Sequence, residues 1–308
     1  MAGTHADRRR CRQPAADHEG PPGARRDAAP GTVSTPERAP DGGTRERPGP
    51  HADPWSDLRA HTSARIARGR TGVSLPTDEL LRFGLAHARA RDAVQREMDT
   101  AALADGLNAL GLRTLVVRSA APDRTRFLLR PDLGRQLSHA DRTLLAERDT
   151  AAPQRPDDAV GRGCDLLLVI GDGLSAPAIA RNALPMVGAL LRLAPADWRI
   201  GPAVIATQAR VALGDELGAL LEARLVAILI GERPGLSAPD SLGIYLTWEP
   251  RPGRSDAQRN CISNIRPEGL GYEAAARRLW WLCRAASELQ ATGVALKDRS
   301  DEPLLGHG

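Results

Sequence analysis

The chain has 308 residues, room for one large domain or two small ones around a buried core, and a formal charge of +4. Aromatic residues make up 3% of it, Lys297 is the single lysine, and arginine supplies every other basic charge. Acidic and basic residues alternate without aromatics between them, so a nucleic-acid-binding surface is not expected.

The four cysteines are Cys11, Cys164, Cys261 and Cys283. None forms a C-x-x-C pair, which argues against a zinc site or a disulfide framework and fits a reducing cytoplasm. The amino terminus lacks the apolar core of a signal peptide. The longest apolar runs fall far short of the ~20 residues a membrane helix requires. A cytoplasmic chain with no membrane span is therefore expected.

Residues 1–54 hold Val33 as the only large aliphatic after the initiator. A segment so poor in apolar area cannot offset its ordering entropy and is expected to be a disordered, solvated tail. Residues 55–150 are expected to form a smaller, mainly helical region. Its first helix spans Arg59 to Ala67 and ends at Gly69-Arg70-Thr71-Gly72. A second opens at Thr77, with Thr77 as N-cap and Asp78 and Glu79 complementing the helix dipole. It runs to about Met98 and carries Leu81, Leu85 and Ala88 on one face. Short strands are expected at Thr114–Arg118 and Arg126–Leu129, and Ser138 with Asp141 gives a capping pattern for a further helix. The Ala/Pro/Asp-rich stretch 149–163 reads as a linker.

Residues 151–308 alternate regularly between short apolar strands and amphipathic helices. Strands are expected at Asp165–Ile170, Ala203–Thr207, Leu225–Ile230 and Leu242–Trp248. The helices between them present Ile179, Ala183, Val187 and Leu190, then Leu213, Leu217 and Leu220. A last helix has Ala275, Leu279, Leu282, Ala286 and Leu289 as its stripe. This pattern predicts an α/β, Rossmann-like domain built on a mostly parallel sheet covered on both faces.

Several motifs compete for a function. Gly171-Asp172-Gly173-Leu174-Ser175-Ala176 follows a strand and opens a helix, as the dinucleotide fingerprint requires. The next strand ends in Ala206-Thr207-Gln208 with no carboxylate for a ribose, so a nicotinamide oxidoreductase stays the alternative reading, and a plain strand-to-helix turn, or a turn contacting a different nucleotide-bearing ligand, is preferred. Gly173-Leu174-Ser175-Ala176-Pro177 approaches a hydrolase nucleophile elbow, yet Pro177 replaces its last glycine and no histidine lies between His139 and His307. The seven histidines show no H-x-x-H or H-E-x-x-H spacing, and no metal site is expected. Arg70, Arg130 and Arg135 have the chemistry to seek a phosphate, yet surface ion pairs are the commoner outcome for such a set. Glu232 taken alone is a turn residue beside Arg233, and Cys261 alone a small buried hydrophobe.

Taken together, in order, several segments resemble the small subunit of ethanolamine ammonia-lyase. They are Ala64-Arg65-Ile66, Gly69-Arg70-Thr71-Gly72, Leu80-Leu81-Arg82-Phe83, Arg130-Pro131-Asp132-Leu133-Gly134, Asp172-Gly173-Leu174-Ser175, Gly231-Glu232-Arg233-Pro234-Gly235-Leu236 and Cys261-Ile262-Ser263-Asn264-Ile265. The resemblance covers about Trp55 to Asp298. It implies a Rossmann-like domain that binds adenosylcobalamin together with a large, TIM-barrel subunit in a hetero-oligomer. By resemblance the coenzyme contacts are Val211, Glu232 and Cys261. The substrate is ethanolamine, the products acetaldehyde and ammonia, and the catalytic residues belong to the large subunit. No D-x-H-x-x-G motif offers histidine to cobalt, so the cofactor's own base is expected to stay coordinated. Corrin is a largely apolar ring rimmed with neutral amides, for which an arginine-dense site is not expected. In some bacteria this pathway sits inside a protein-shelled microcompartment, and the tail's lack of apolar periodicity gives no signal for such packaging.

Overall fold

A computed structural model describes residues 55–62, 64–147 and 163–300. The expectations for the tail at 1–54 and for the linker, apart from Gly163, lie outside the described residues.

The chain enters through a short 3-10 turn, Ser56–His61, and then two helices, α1 (Thr77–Gln95) and α2 (Thr100–Ala109). Strand β1 (Thr114–Arg118), α3 (Arg124–Leu129) and α4 (His139–Glu147) follow. The remainder runs β2 (Leu166–Gly171), α5 (Ala176–Arg192), β3 (Ile200–Thr207), α6 (Leu213–Leu220), β4 (Leu225–Gly231), β5 (Leu242–Trp248), β6 (Asn260–Ile265) and α7 (Tyr272–Leu289). The six strands form one sheet in the order β1-β3-β2-β4-β5-β6. β1, β3, β2 and β4 are mutually parallel, whereas β5 runs antiparallel to β4 and β6 antiparallel to β5.

Strand periodicity divides the core into two layers. Leu166, Leu168 and Ile170 of β2 join Leu225, Ala227 and Leu229 of β4 on one face, against Ile179, Ala183, Val187 and Leu190 of α5 and Leu279 and Leu282 of α7. Leu167, Val169, Val226, Ile228 and Ile230 point the other way, onto Leu213 and Leu217 of α6 and Leu145 of α4. Because both faces are covered, β2 and β4 are apolar at every position rather than at every second one. At about 25 cal/mol per Å² of apolar area, these two layers supply the main driving force for the fold.

After β2 the chain crosses to the α5 layer, and after the adjacent β3 it crosses to the α6 layer. The turns after β2 and β3 therefore diverge, and open α/β sheets bind their ligands at such a divergence, outside the carboxyl ends of the strands.

Three local expectations are corrected. Arg126–Leu129 is helical, within α3, because Asp123 caps it: the Asp123 carboxylate accepts from the Arg126 N–H at 2.7 Å. The helix expected over Arg59–Ala67 is only the 3-10 turn, after which the chain is irregular. The second helix stops at Gln95 and α2 starts anew behind an Asp99 cap, and at its start Pro76, not Thr77, is the capping position. Leu81 and Leu85, which the periodicity puts on one face of α1, are 68% and 52% exposed, so that face is uncovered. β6 has no counterpart among the expected strands.

Candidate functional site

The parallel strands end in a row of short turns at one edge of the sheet. Two of these turns are locked together. Gly173 has φ +54°, and a Cβ there would collide with the Gly231 carbonyl oxygen. A Cβ on Gly231 would in turn lie 2.6 Å from the Asp172 carbonyl oxygen. Two glycines thus let the turn after β2 touch the turn after β4, and Leu174 donates its N–H to the Gly231 carbonyl at 2.9 Å.

This contact decides between the motif readings. Ser175 is fully buried; its hydroxyl accepts from the Ala178 N–H at 3.2 Å as the N-cap of α5 and donates to the Pro239 carbonyl at 2.8 Å. The phosphate cradle a dinucleotide fingerprint would need is filled by the protein's own β4 turn, and Ser175 is a structural cap, not a nucleophile. Gly171–Ala176 is the plain strand-to-helix turn.

Glu232, directly after β4, is half-buried and carries a defined set of donors. The Ser241 hydroxyl donates to its carboxylate, the Asn264 N–H reaches both of its oxygens at 3.4 Å, and its own N–H donates to the Ser241 carbonyl at 3.0 Å. A Cβ on Gly243 would stand 2.9 Å from Glu232 Oε1, so the missing side chain on β5 makes room for this carboxylate. Asn264 adopts φ +57°, a left-handed conformation asparagine tolerates better than most residues.

Cys261 lies on β6 opposite Tyr245 of β5, and the tyrosine hydroxyl is hydrogen-bonded to its thiol. Although the residue as a whole is exposed, protein around its sulfur pushes the thiol up from its ordinary value, with the Tyr245 hydrogen bond opposing and the charge of Glu232 adding. Burial first, then Cys261 and Glu232, pushes Tyr245 up to about 12. Cys261 is therefore a neutral thiol at physiological pH. Glu232 and Cys261 share one electrostatic environment, whereas Val211 stands apart at the head of α6, half-buried against the layer beneath that helix. From β3, which leads to Val211, to β6 is four strand spacings, roughly 19 Å at the usual 4.8 Å per strand. Along the strands Cys261 lies below the edge that carries Glu232, since its partner Tyr245 pairs with Ile228 in the middle of β4.

Next to Val211 sits a feature the sequence did not announce. Arg124 at the start of α3 is buried; it donates to the Val94 carbonyl at 2.6 Å and to Asp172 at 3.1 Å. Asp172, 1% exposed, also accepts from the Ala209 N–H at 2.9 Å. Burial pushes the Asp172 carboxyl up and the Arg124 guanidinium down, and their mutual attraction opposes both shifts. Arg210, after β3, donates its backbone N–H to the Gly134 carbonyl at 2.7 Å. The guanidinium carbons of Arg124 and Arg210 lie 4.7 and 4.4 Å from the centroid of the buried Phe127 ring. Burial pushes Arg210 down, and Arg124, Arg135 and Arg233 add repulsion. Among the described residues, no group of three His, Cys, Asp or Glu side chains is placed to hold a metal, and no helix is long and apolar enough to cross a membrane.

Comparison with known proteins points to one family. Residues 52–297 match the family described as "Ethanolamine ammonia-lyase light chain (EutC)". A protein of Rhodopseudomonas palustris named ethanolamine ammonia-lyase small subunit is 54% identical over 255 residues, 82% of this chain and 94% of that one. Proteins of the same name from Azotobacter vinelandii and Ralstonia nicotianae are 52% and 51% identical, covering 82% and 83% of this chain and 91% and 92% of their own lengths. The chain belongs to the ethanolamine ammonia-lyase light-chain family.

Proposed function

We propose that this chain is the subunit that holds adenosylcobalamin in a two-subunit ethanolamine ammonia-lyase. The large subunit, a TIM barrel by family resemblance, supplies the groups that bind ethanolamine and yield acetaldehyde and ammonia. The observation that carries this reading is the family match over nearly all of the described chain, joined to a strand-end edge whose reactive side chains are occupied structurally.

The edge fits the cofactor on three counts. Glu232 offers a carboxylate acceptor, oriented by Ser241 and Asn264, to an amide or ribose hydroxyl. Val211 and Cys261 offer backbone groups and small side chains at either end of a span wide enough for a corrin. Buried atoms of Arg210, next to Val211, and of Arg124, after the neighbouring β1, lack partners, and the cofactor carries one phosphodiester. When bound, adenosylcobalamin supplies radical chemistry through homolysis of its cobalt–carbon bond. This chain's own residues position and shield: the β2 and β4 layers hold the turns rigid, Glu232 orients a polar group, and the neutral Cys261 thiol presents no competing anion. No histidine of this chain stands in a cobalt-binding motif, so its residues would leave the cofactor's own base undisplaced. We place the enzyme in the cytoplasm, with a microcompartment as the alternative location.

The test is co-purification with the large subunit followed by ethanolamine deamination with and without added coenzyme B12. Activity should require both polypeptides and the coenzyme. Deamination by the large subunit alone, or independence from the coenzyme, would overturn the reading.

A further inference from the structure

The carboxyl ends of the four parallel strands carry charge in a pattern. Arg124 follows β1, Arg210 follows β3, Asp172 follows β2 and Arg233 follows β4, with Arg135 on the turn beneath Arg210. Only Arg124 has a carboxylate partner, Asp172. Among the described residues the guanidinium groups of Arg210, Arg135 and Arg233 make no ion pair or hydrogen bond with the protein, and Arg210 stacks on Phe127 instead. The side chain of Arg124 is 6% exposed, yet its Nη2 has no partner, nor has the buried Nε of Arg210. Arg135 and Arg233 are exposed, but burying Arg124 Nη2 and Arg210 Nε without partners, with two more cations nearby, is unfavourable unless an anion joins them.

We infer that Arg210 and Arg233, backed by Arg124 and Arg135, form an anion site that takes the phosphodiester of the cofactor's nucleotide loop. The inference rests on the proposed function, and it removes the conflict between an arginine-dense edge and a corrin rimmed with neutral amides. The corrin spans Val211 to Cys261, and its one anionic link falls where β2 and β3 diverge. A guanidinium matches the geometry of phosphate oxygens, and the half-buried Arg210 gains most because it lacks any other counter-charge. Inorganic phosphate, or a carboxylate of the large subunit, would satisfy the same groups, so the experiment separates these sources.

The two-subunit complex is titrated with cobalamin, with cobinamide (the same corrin lacking phosphodiester and base) and with cobinamide phosphate, by equilibrium dialysis and absorbance. Arg210→Gln should weaken cobalamin and cobinamide phosphate roughly tenfold to hundredfold, the value of one charge-assisted hydrogen bond, and leave cobinamide within about twofold. Arg233→Gln, at an exposed residue that folding does not require, should shift binding the same way by a smaller factor. Inorganic phosphate should compete with cobalamin in the wild type and lose that effect in Arg210→Gln. Equal weakening of all three corrinoids would overturn the assignment, leaving the arginines a scaffolding role. Unchanged corrinoid binding with salt-sensitive loss of subunit assembly would also overturn it, in favour of a carboxylate on the large subunit. If the wild-type complex binds no corrinoid at all, the proposed function itself fails, an outcome distinct from either.

Discussion

Leu174 donates its backbone N–H to the carbonyl of Gly231 at 2.9 Å, tying the turn after β2 to the turn after β4. The approach exists because neither Gly173 nor Gly231 has a Cβ, and the obstructing atoms are backbone oxygens that cannot swing aside. Gly231→Ala should therefore cost about 2 kcal/mol or more by overpacking, read as a lower urea midpoint at unchanged slope. Gly84→Ala is the contrasting case. Gly84 lies within α1 with nothing within 4 Å of an added Cβ, and the change should stabilise by about 0.5–1 kcal/mol.

The Asp215–Arg259 ion pair joins α6 to the segment leading into β6, with both side chains 2% exposed. Arg259 also donates to the Arg254 carbonyl at 2.9 Å, while Asp215 Oδ1 and Arg259 Nε lack partners. Asp256 also pairs with Arg259, at 2.7 Å, so removing Asp215 leaves the arginine a counter-charge, whereas removing Arg259 strands the buried carboxylate. Arg259→Ala should lower stability by about 3–5 kcal/mol, whereas replacing Asp215 and Arg259 together by apolar residues of similar volume should recover most of that. Chemical denaturation of the two variants measures the difference; equal losses would mean that the pair contributes beyond its mutual neutralisation.

How far the fold was legible in the sequence follows from where its stabilising contacts lie. β2 and β4 are buried on both faces, so their unbroken apolar runs announced them, and the stripe on α5 matched its buried face residue for residue at Ile179, Ala183, Val187 and Leu190. β6 has only Ile262 and Ile265 buried, too few positions for a period, and its pairing with β5 is a long-range fact. Arg126–Leu129 reads as a strand by composition, but the Asp123 cap and the packing of Phe127 make it a helix. In α1 the period is real and its face is uncovered, because periodicity reports a face and not what covers it. The same limit hid the arginine cluster. Arg124 and Arg210 are 86 positions apart in sequence, and only the strand order β1-β3-β2 brings their turns together on Phe127. Glu232 and Cys261 came from the family resemblance; the structure adds their companions Ser241, Asn264 and Tyr245, none of which forms a recognisable spacing.

If Glu232 is the acceptor for an amide or hydroxyl of the cofactor, its position matters as much as its charge. Glu232→Ala should weaken coenzyme binding by the two-subunit complex about tenfold, near 1.4 kcal/mol, with little change in thermal stability. Gly243→Ala keeps the carboxylate but places a Cβ 2.9 Å from Glu232 Oε1, and should weaken binding in the same direction. Equilibrium dialysis against coenzyme B12 distinguishes the cases. Wild-type affinity in both variants would remove Glu232 from the contact set.

Tyr245 provides a pH test that needs no cofactor. Its hydroxyl is pushed up to about 12 from 10.0, chiefly by burial, and Cys261 rises for the same leading reason. For an acid whose pKa is raised by folding, the unfolded chain loses its proton first. The contribution to stability is then complete below the unfolded pKa and is lost as pH climbs through the folded one. The stability of the wild-type chain should accordingly fall between about pH 10 and pH 12. Cys164, pushed up to about 11 by burial, titrates in the same window, so the slope alone does not identify the tyrosine. Tyr245→Phe does identify it, because the variant keeps the ring in place and removes the ionisable hydroxyl. Its urea midpoint should decline less steeply than wild type across that interval while differing little in slope near neutral pH. Parallel decline in the two proteins would show that the Tyr245 hydroxyl titrates alike in the folded and unfolded chains.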